Sequence, residues 1–209
     1  VTINNPGNTV TLSGNTTISA GLTVTAGSTL DLTSYTFSGP TSIALGCGST
    51  TATAITGTGL ITLAGPISTT DAGTGTNGAT ISAPIALAAN RTFTIADDGS
   101  SAPDLTISGV ISTGFGITKA GAGELVLSGN NTYTGSTTIS AGSVILGASD
   151  RITNASQVIL GGGTFSTGAT TGYSETVGTL NLTDNSTIIL GTGVHTLTFS
   201  NSSGVGWTA

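Results

Sequence analysis

The chain has 209 residues, 36% of them apolar and only 6% charged, with a formal net charge of -6. That balance supplies a buried core and excludes a disordered chain, which would be rich in charge and poor in aliphatic residues. Thirty-three glycines without a triplet period, alongside 5 prolines, exclude collagen. The only basic residues, Arg91, Lys119 and Arg151, are too dispersed to track a phosphate backbone or an anionic membrane.

Short period-two runs occupy 9–12, 16–19, 22–25, 29–33, 42–45, 60–63, 79–82, 91–96, 105–108, 124–128, 137–140, 143–146, 157–160, 179–183, 187–190 and 195–200. Most alternate Thr or Ser with Ile, Leu or Val and end at Gly, Asn or Ser, so each reads as a strand with one inward and one hydroxyl-bearing face. Stretches 46–59 and 65–78 read as loops, with weakly patterned coils as the alternative. Helical periodicity is missing and helix formers are scarce, so an all-β fold is expected. No apolar run approaches the roughly 20 residues that cross a bilayer.

The hexapeptide Thr-Thr-Ile-Ser-Ala-Gly occurs at 16–21 and again at 137–142, which points to internal repetition. The second copy lies in ITKAGAGELVLSGNNTYTGSTTISAGSVILGA, residues 117–148. Its pieces at 118–123, 125–129, 131–135 and 138–142 give it the pattern of the autotransporter-associated β-strand repeat, or passenger-associated transport repeat, which this stretch resembles. The resemblance covers about a sixth of the chain and implies a secreted bacterial surface protein. Together with the strand density, it favours a right-handed parallel β-solenoid over a β-sandwich. At about 20 residues per coil and about 4.8 Å per coil, roughly ten coils would make a rod on the order of 50 Å long. A single solenoid domain over 1–209 is expected, with 149–209 as a C-terminal tail module. Within the repeat, Leu125, Leu127, Ile139, Val144 and Leu146 should point inward.

The chain lacks methionine, so Val1 is expected to have been exposed by processing, after removal of a signal peptide. The stop at Ala209, two residues past Trp207, suggests truncation or cleavage. Together with the low charge, this leads to an extracellular or cell-surface location.

Candidate chemistry is sparse. Gly73, Gly75 and Gly78 form a G-x-G-x-x-G pattern with Asp97 downstream, but the glycines open onto a strand pattern rather than the helix a dinucleotide site needs. Asp97, Asp98 and Asp104 concentrate carboxylates in one turn; they are either a solvated turn or a Ca²⁺ site outside the known loop patterns. Lone Cys47 is either a small buried residue or an intermolecular crosslink. His195, the one histidine, has no carboxylate nearby in sequence to orient it as a base. No cofactor is implied. Seven Asn-x-Ser/Thr sequons, at Asn15, Asn90, Asn130, Asn154, Asn181, Asn185 and Asn201, follow from composition.

The function expected is therefore structural and non-enzymatic: a subunit that polymerises with copies of itself through open ends. Val1, Ile3, Val10, Leu12, Leu197, Phe199 and Trp207 would be the joining residues. A monomeric adhesin passenger, with surface glycans as partner, is one alternative. A carbohydrate-active β-helix enzyme, marked by an acidic or basic cluster on one face, is the other.

Overall fold

Alternating hydroxyl and aliphatic residues dictate strands that bury every second side chain, and here the strands stack in parallel into a three-sided β-solenoid. The computed structural model describes residues 1–208 except Thr74 and Ala169. Three parallel sheets of ten, nine and five strands run along its sides. The first spans Thr2–Ile3 to Leu197–Ser200, the second Thr9–Thr11 to Thr187–Ile189, and the third Thr16–Thr17 to Ile111–Ser112. The described residues contain no helix. Nine strands along the second side correspond to about nine turns, close to the ten expected from sequence.

Register turns sequence alternation into columns of like residues. On the second side Val10, Leu30, Ile55, Ile81, Ile107, Leu127 and Leu146 stand directly over one another. Beside them run Ala79, Leu105, Leu125, Val144, Phe165 and Ile188. The first side stacks Leu22, Ile43, Ile67, Phe93, Lys119, Ile139, Leu160 and Leu182. Apart from Lys119 and the exposed Ile188, these columns form one continuous core. Leu125, Leu127, Ile139, Val144 and Leu146 are all buried in it, as the repeat pattern requires.

Coil length changes along the rod. Residues joined across neighbouring coils are 26 apart between Asn90 and Gly116 but 20 apart between Ile111 and Asn131. The shortening falls where the third side stops forming strands. After Ile111–Ser112 that side is built by 131–133, where the buried Asn131 accepts the Ile111 amide through Oδ1 and the amides of Thr132 and Tyr133 donate to the Ile111 carbonyl in place of a strand ladder.

Two sequence expectations change. The stretches read as loops contain strands Thr53–Thr56 and Ile67–Asp71, both in register with their neighbours. Their Thr, Ser and Gly content hid the inward positions of Thr53, Ile55, Ile67 and Thr69. The two hexapeptides are also not equivalent: Thr16–Thr17 lies on the third side, whereas Thr137–Ile139 lies on the first. A Thr-Thr-Ile triplet fits any half-buried strand, and its surroundings choose the side. Gly142 has φ +61, and a Cβ there would meet the carbonyls of Gly121 and Gly123, whereas Gly21 has no such backbone conformation.

At the C-terminal end the long strand Glu175–Asp184 forks. Its first residues pair with Leu197–Ser200, and Leu180 onward pair with Val158–Gly161, with a register shift in each ladder.

Candidate functional site

Five of the nine acidic residues, Asp71, Asp97, Asp98, Asp104 and Glu124, gather at one corner between the first and second sides. The corner forms because strand Ile43–Cys47 carries Ile43, Leu45 and Cys47 inward, while the turn after Arg91–Thr94 folds Asp98 and Asp104 back over its end. Cys47 is fully buried, with the Thr69 side chain of the next coil near its sulfur. Burial pushes the thiol up to about 11, and the carboxylates of Asp104, Asp98 and Asp71 push the same way.

Asp104 is the anchor. It is 2% exposed, and its two oxygens accept the amides of Asp98 at 2.8 Å and Glu124 at 2.7 Å. Desolvation raises its pKa against those bonds. Asp98 accepts the Ser100 amide through Oδ1 at 2.8 Å, while its Oδ2 is shut off from solvent with no hydrogen-bond partner. Burial also raises Glu124, and the Asp104 and Asp97 charges add to the effect. Lys119 is buried beneath this side, where its ammonium donates to the carbonyls of Ala120, Gly121 and Ala141 at 2.8–3.1 Å.

Of the expected acidic trio, the structure brings Asp98 and Asp104 together. Asp97 is exposed and accepts the Gly99 amide of its own turn. Cys47 takes the third place: its sulfur and an oxygen from each of Asp98 and Asp104 all lie within 4.8 Å of one another. Sequence reasoning missed this grouping because 51 positions separate Cys47 from Asp98, and only the coil stacking closes the gap. An intermolecular disulfide at Cys47 would require the corner to open.

The other sequence candidates resolve into packing. Gly78 leads into strand Ala79–Ile81, and side chains at Gly75 or Gly78 would run into the backbones of Ser49 and Pro103. His195 bonds Thr167 Oγ1 and the Gly193 carbonyl, each at 3.2 Å, and has no carboxylate among these partners.

The joining residues divide by position. Val1 is exposed, while Ile3, Val10, Leu12, Leu197 and Phe199 are half-buried against the core. Trp207 is exposed but donates Nε1–H to the Leu180 carbonyl, and the Thr208 amide donates to Leu182. The tail therefore covers part of the first side's last edge, where the sequence suggested uncovered ends. The second side's last strand, Thr187–Ile189, is exposed along its length.

No curated protein and no solved structure matches the chain. Residues 117–146 match the family model of the passenger-associated-transport repeat, the segment that forms the shortened coil and carries Lys119, Asn131 and Tyr133.

Proposed function

We propose that this protein is a non-enzymatic structural segment of an autotransporter-type surface protein, and that it extends by end-to-end stacking with copies of itself. A passenger-associated repeat within a β-solenoid fits a passenger-like protein. The observation that carries the stacking is Ile188. Its column-mates Leu105, Leu125, Val144 and Phe165 are fully buried, whereas Ile188, on the last strand of the second side among the described residues, is 38% exposed. The opposite end of the same side offers strand Thr9–Thr11, so on this side one copy's Thr9–Thr11 continues the parallel ladder of another's Thr187–Ile189. An uncharged open edge is a template for a further strand, and the apolar end residues gain burial.

The test is sedimentation velocity and negative-stain microscopy of the 209-residue chain over rising concentration, beside Ile188→Lys. Rods of increasing length that vanish in the variant are expected. A chain that stays monomeric at high concentration would count against self-stacking and leave the same edge to further coils of one polypeptide.

A second reading has one observation in its favour. Glu124 lines a groove of about 210 Å³ with Ser101, Ser143, Thr164 and Ser166, a hydroxyl-rich surface suited to a glycan. Glycan-array binding lost in Glu124→Gln would favour it.

A further inference from the structure

We propose that Cys47, Asp98 and Asp104 form a binding site for a divalent transition-metal cation of the Zn²⁺ class, with Asp71 as the adjoining carboxylate. Three observations carry this.

First, three donors from two distant places in the chain, the end of strand Ile43–Cys47 and the turn before Leu105, converge within 4.8 Å, and two of them, Cys47 and Asp104, are buried. Donors around one zinc ion stand roughly 3.5 Å apart, so the group closes on an ion with an approach of about 1 Å. Asp98 sits on a turn rather than a strand, which gives it that freedom. Asp71 pairs with Cys47 in register, and a Cβ on Gly48 would collide with its Oδ1, which puts this carboxylate beside the same corner.

Second, the Oδ2 of Asp98 is enclosed and has no hydrogen-bond partner. A buried carboxylate oxygen left unmatched is costly, and a cation at the centre of the three donors satisfies it. Third, the local charge is unbalanced: five carboxylates gather at this corner, and Lys119, whose single charge acts on Asp104 and Glu124, offsets only one of them.

The sulfur decides the class of ion. Ca²⁺ takes six to eight oxygens, by the general pattern of about that number, whereas a thiolate with carboxylates suits Zn²⁺ or Cd²⁺. The sequence set a solvated turn at Asp97, Asp98 and Asp104 beside the alternative of a Ca²⁺ site; the ion proposed here is a softer one at a different trio. On binding, the Cys47 S–H bond ionises: the electron pair goes to the metal and the proton leaves to buffer. The ion would tie together three successive coils in the widened part of the rod.

The experiment uses the full chain freed of metal by chelation, titrated near neutral pH with ZnCl₂, CdCl₂ or CaCl₂. The readouts are calorimetry in two buffers, thermal melting, and ultraviolet absorption for the cadmium–thiolate band. Equimolar Zn²⁺ and Cd²⁺ binding with proton release, a raised melting temperature and a cadmium–thiolate band are expected, all lost in Cys47→Ala. Asp98→Asn, on the partly exposed turn, should weaken Zn²⁺ by more than about tenfold, since even outer-shell partners contribute about that much. Absence of Zn²⁺ and Cd²⁺ binding, a missing cadmium band, or stronger stabilisation by Ca²⁺ would overturn the proposal. If Cys47→Ala fails to fold, an unchanged Zn²⁺ affinity in Asp98→Asn overturns it alone.

Discussion

The ammonium of Lys119 donates to the Ala141 carbonyl one coil further on, at 3.1 Å, from a column position that Phe93 and Ile139 occupy in the adjoining coils. Its other two bonds close on Ala120 and Gly121, so one side chain satisfies three carbonyls at the corner of the repeat. Lys119→Met keeps the apolar stem and removes the donor. Each stranded buried carbonyl costs about 1–3 kcal/mol, partly offset because a buried charge is also removed. We expect a net loss on the order of 2 kcal/mol, read as a lower urea midpoint with an unchanged slope. Equal or greater stability would mean that the charge is a liability rather than a clamp.

The same lysine predicts a pH signature. Burial lowers its pKa from 10.5 to about 8, so between those values the unfolded chain holds more protons and stability rises with pH. Below about 8 the cost of the buried charge is constant. The Cys47 thiol, raised from 9.0 to about 11, works in the opposite direction over its own interval. The measurement is therefore the difference between wild type and Lys119→Met from pH 8 upward, where the wild-type curve should climb relative to the variant.

Glu175 supplies the acid limb. It is 1% exposed; its Oε2 accepts the amides of Arg151 and Ile152, while Oε1 has no partner. Burial lifts the carboxyl from 4.5 to about 7, and Asp150 adds to the rise. The folded state therefore holds the extra proton between those values. Its contribution is fully present below 4.5 and is lost as pH climbs through 7, on the order of 3 kcal/mol in all. Glu175→Gln should flatten that slope in melts taken from pH 4 to 8. Because Glu175 begins the forked strand that carries Leu197–Ser200, amide protection in that last strand, corrected for the intrinsic rise of exchange with pH, should fall with pH in the parent and not in the variant.

Leu127 is fully buried between Ile107 and Leu146. Leu127→Ala should cost about 2–5 kcal/mol through lost burial and a cavity. Leu127→Asp would add an unpaired buried carboxylate and unfold the neighbouring coils. Unchanged melting in both variants would show that the alternation in this strand had been assigned to the wrong side.

What the sequence made legible follows from what is local. Strand alternation around Leu125 and Leu127 is written in adjacent residues, so the inward set could be read without coordinates. The two hexapeptides show the limit: the same six letters form a third-side strand at Thr16 and a first-side strand at Thr137, because stacking partners choose the side. Thr137 is even turned inward, bonded to Tyr133 at 2.7 Å and Ser156 at 3.1 Å, which a rule sending hydroxyls outward does not anticipate. The cluster of Cys47, Asp98 and Asp104 was illegible for a related reason. The intervening coils differ in length, so no fixed spacing marks which residues meet.

Asn131 tests whether the repeat's polar residues or its aliphatic columns hold the shortened coil. Its Oδ1 accepts the Ile111 amide at 2.8 Å and its Nδ2 donates to the Arg151 carbonyl at 2.8 Å, so one amide spans the coils before and after its own. Only a side chain with both a donor and an acceptor can do this, which explains Asn in the Asn-Thr-Tyr-Thr-Gly segment. Asn131→Ala should lose about 1–3 kcal/mol, since the buried Ile111 amide loses its partner and the part-buried Arg151 carbonyl loses a donor, and amide exchange at Ile111 should accelerate. Asn131→Asp keeps the acceptor for Ile111 but sets an anionic oxygen against the Arg151 carbonyl. It should therefore approach the parent's stability only at acid pH, where the carboxyl is protonated and can donate. If alanine and aspartate variants melt alike at every pH, the bridge to Arg151 contributes nothing, and the coil rests on its Leu and Ile columns alone.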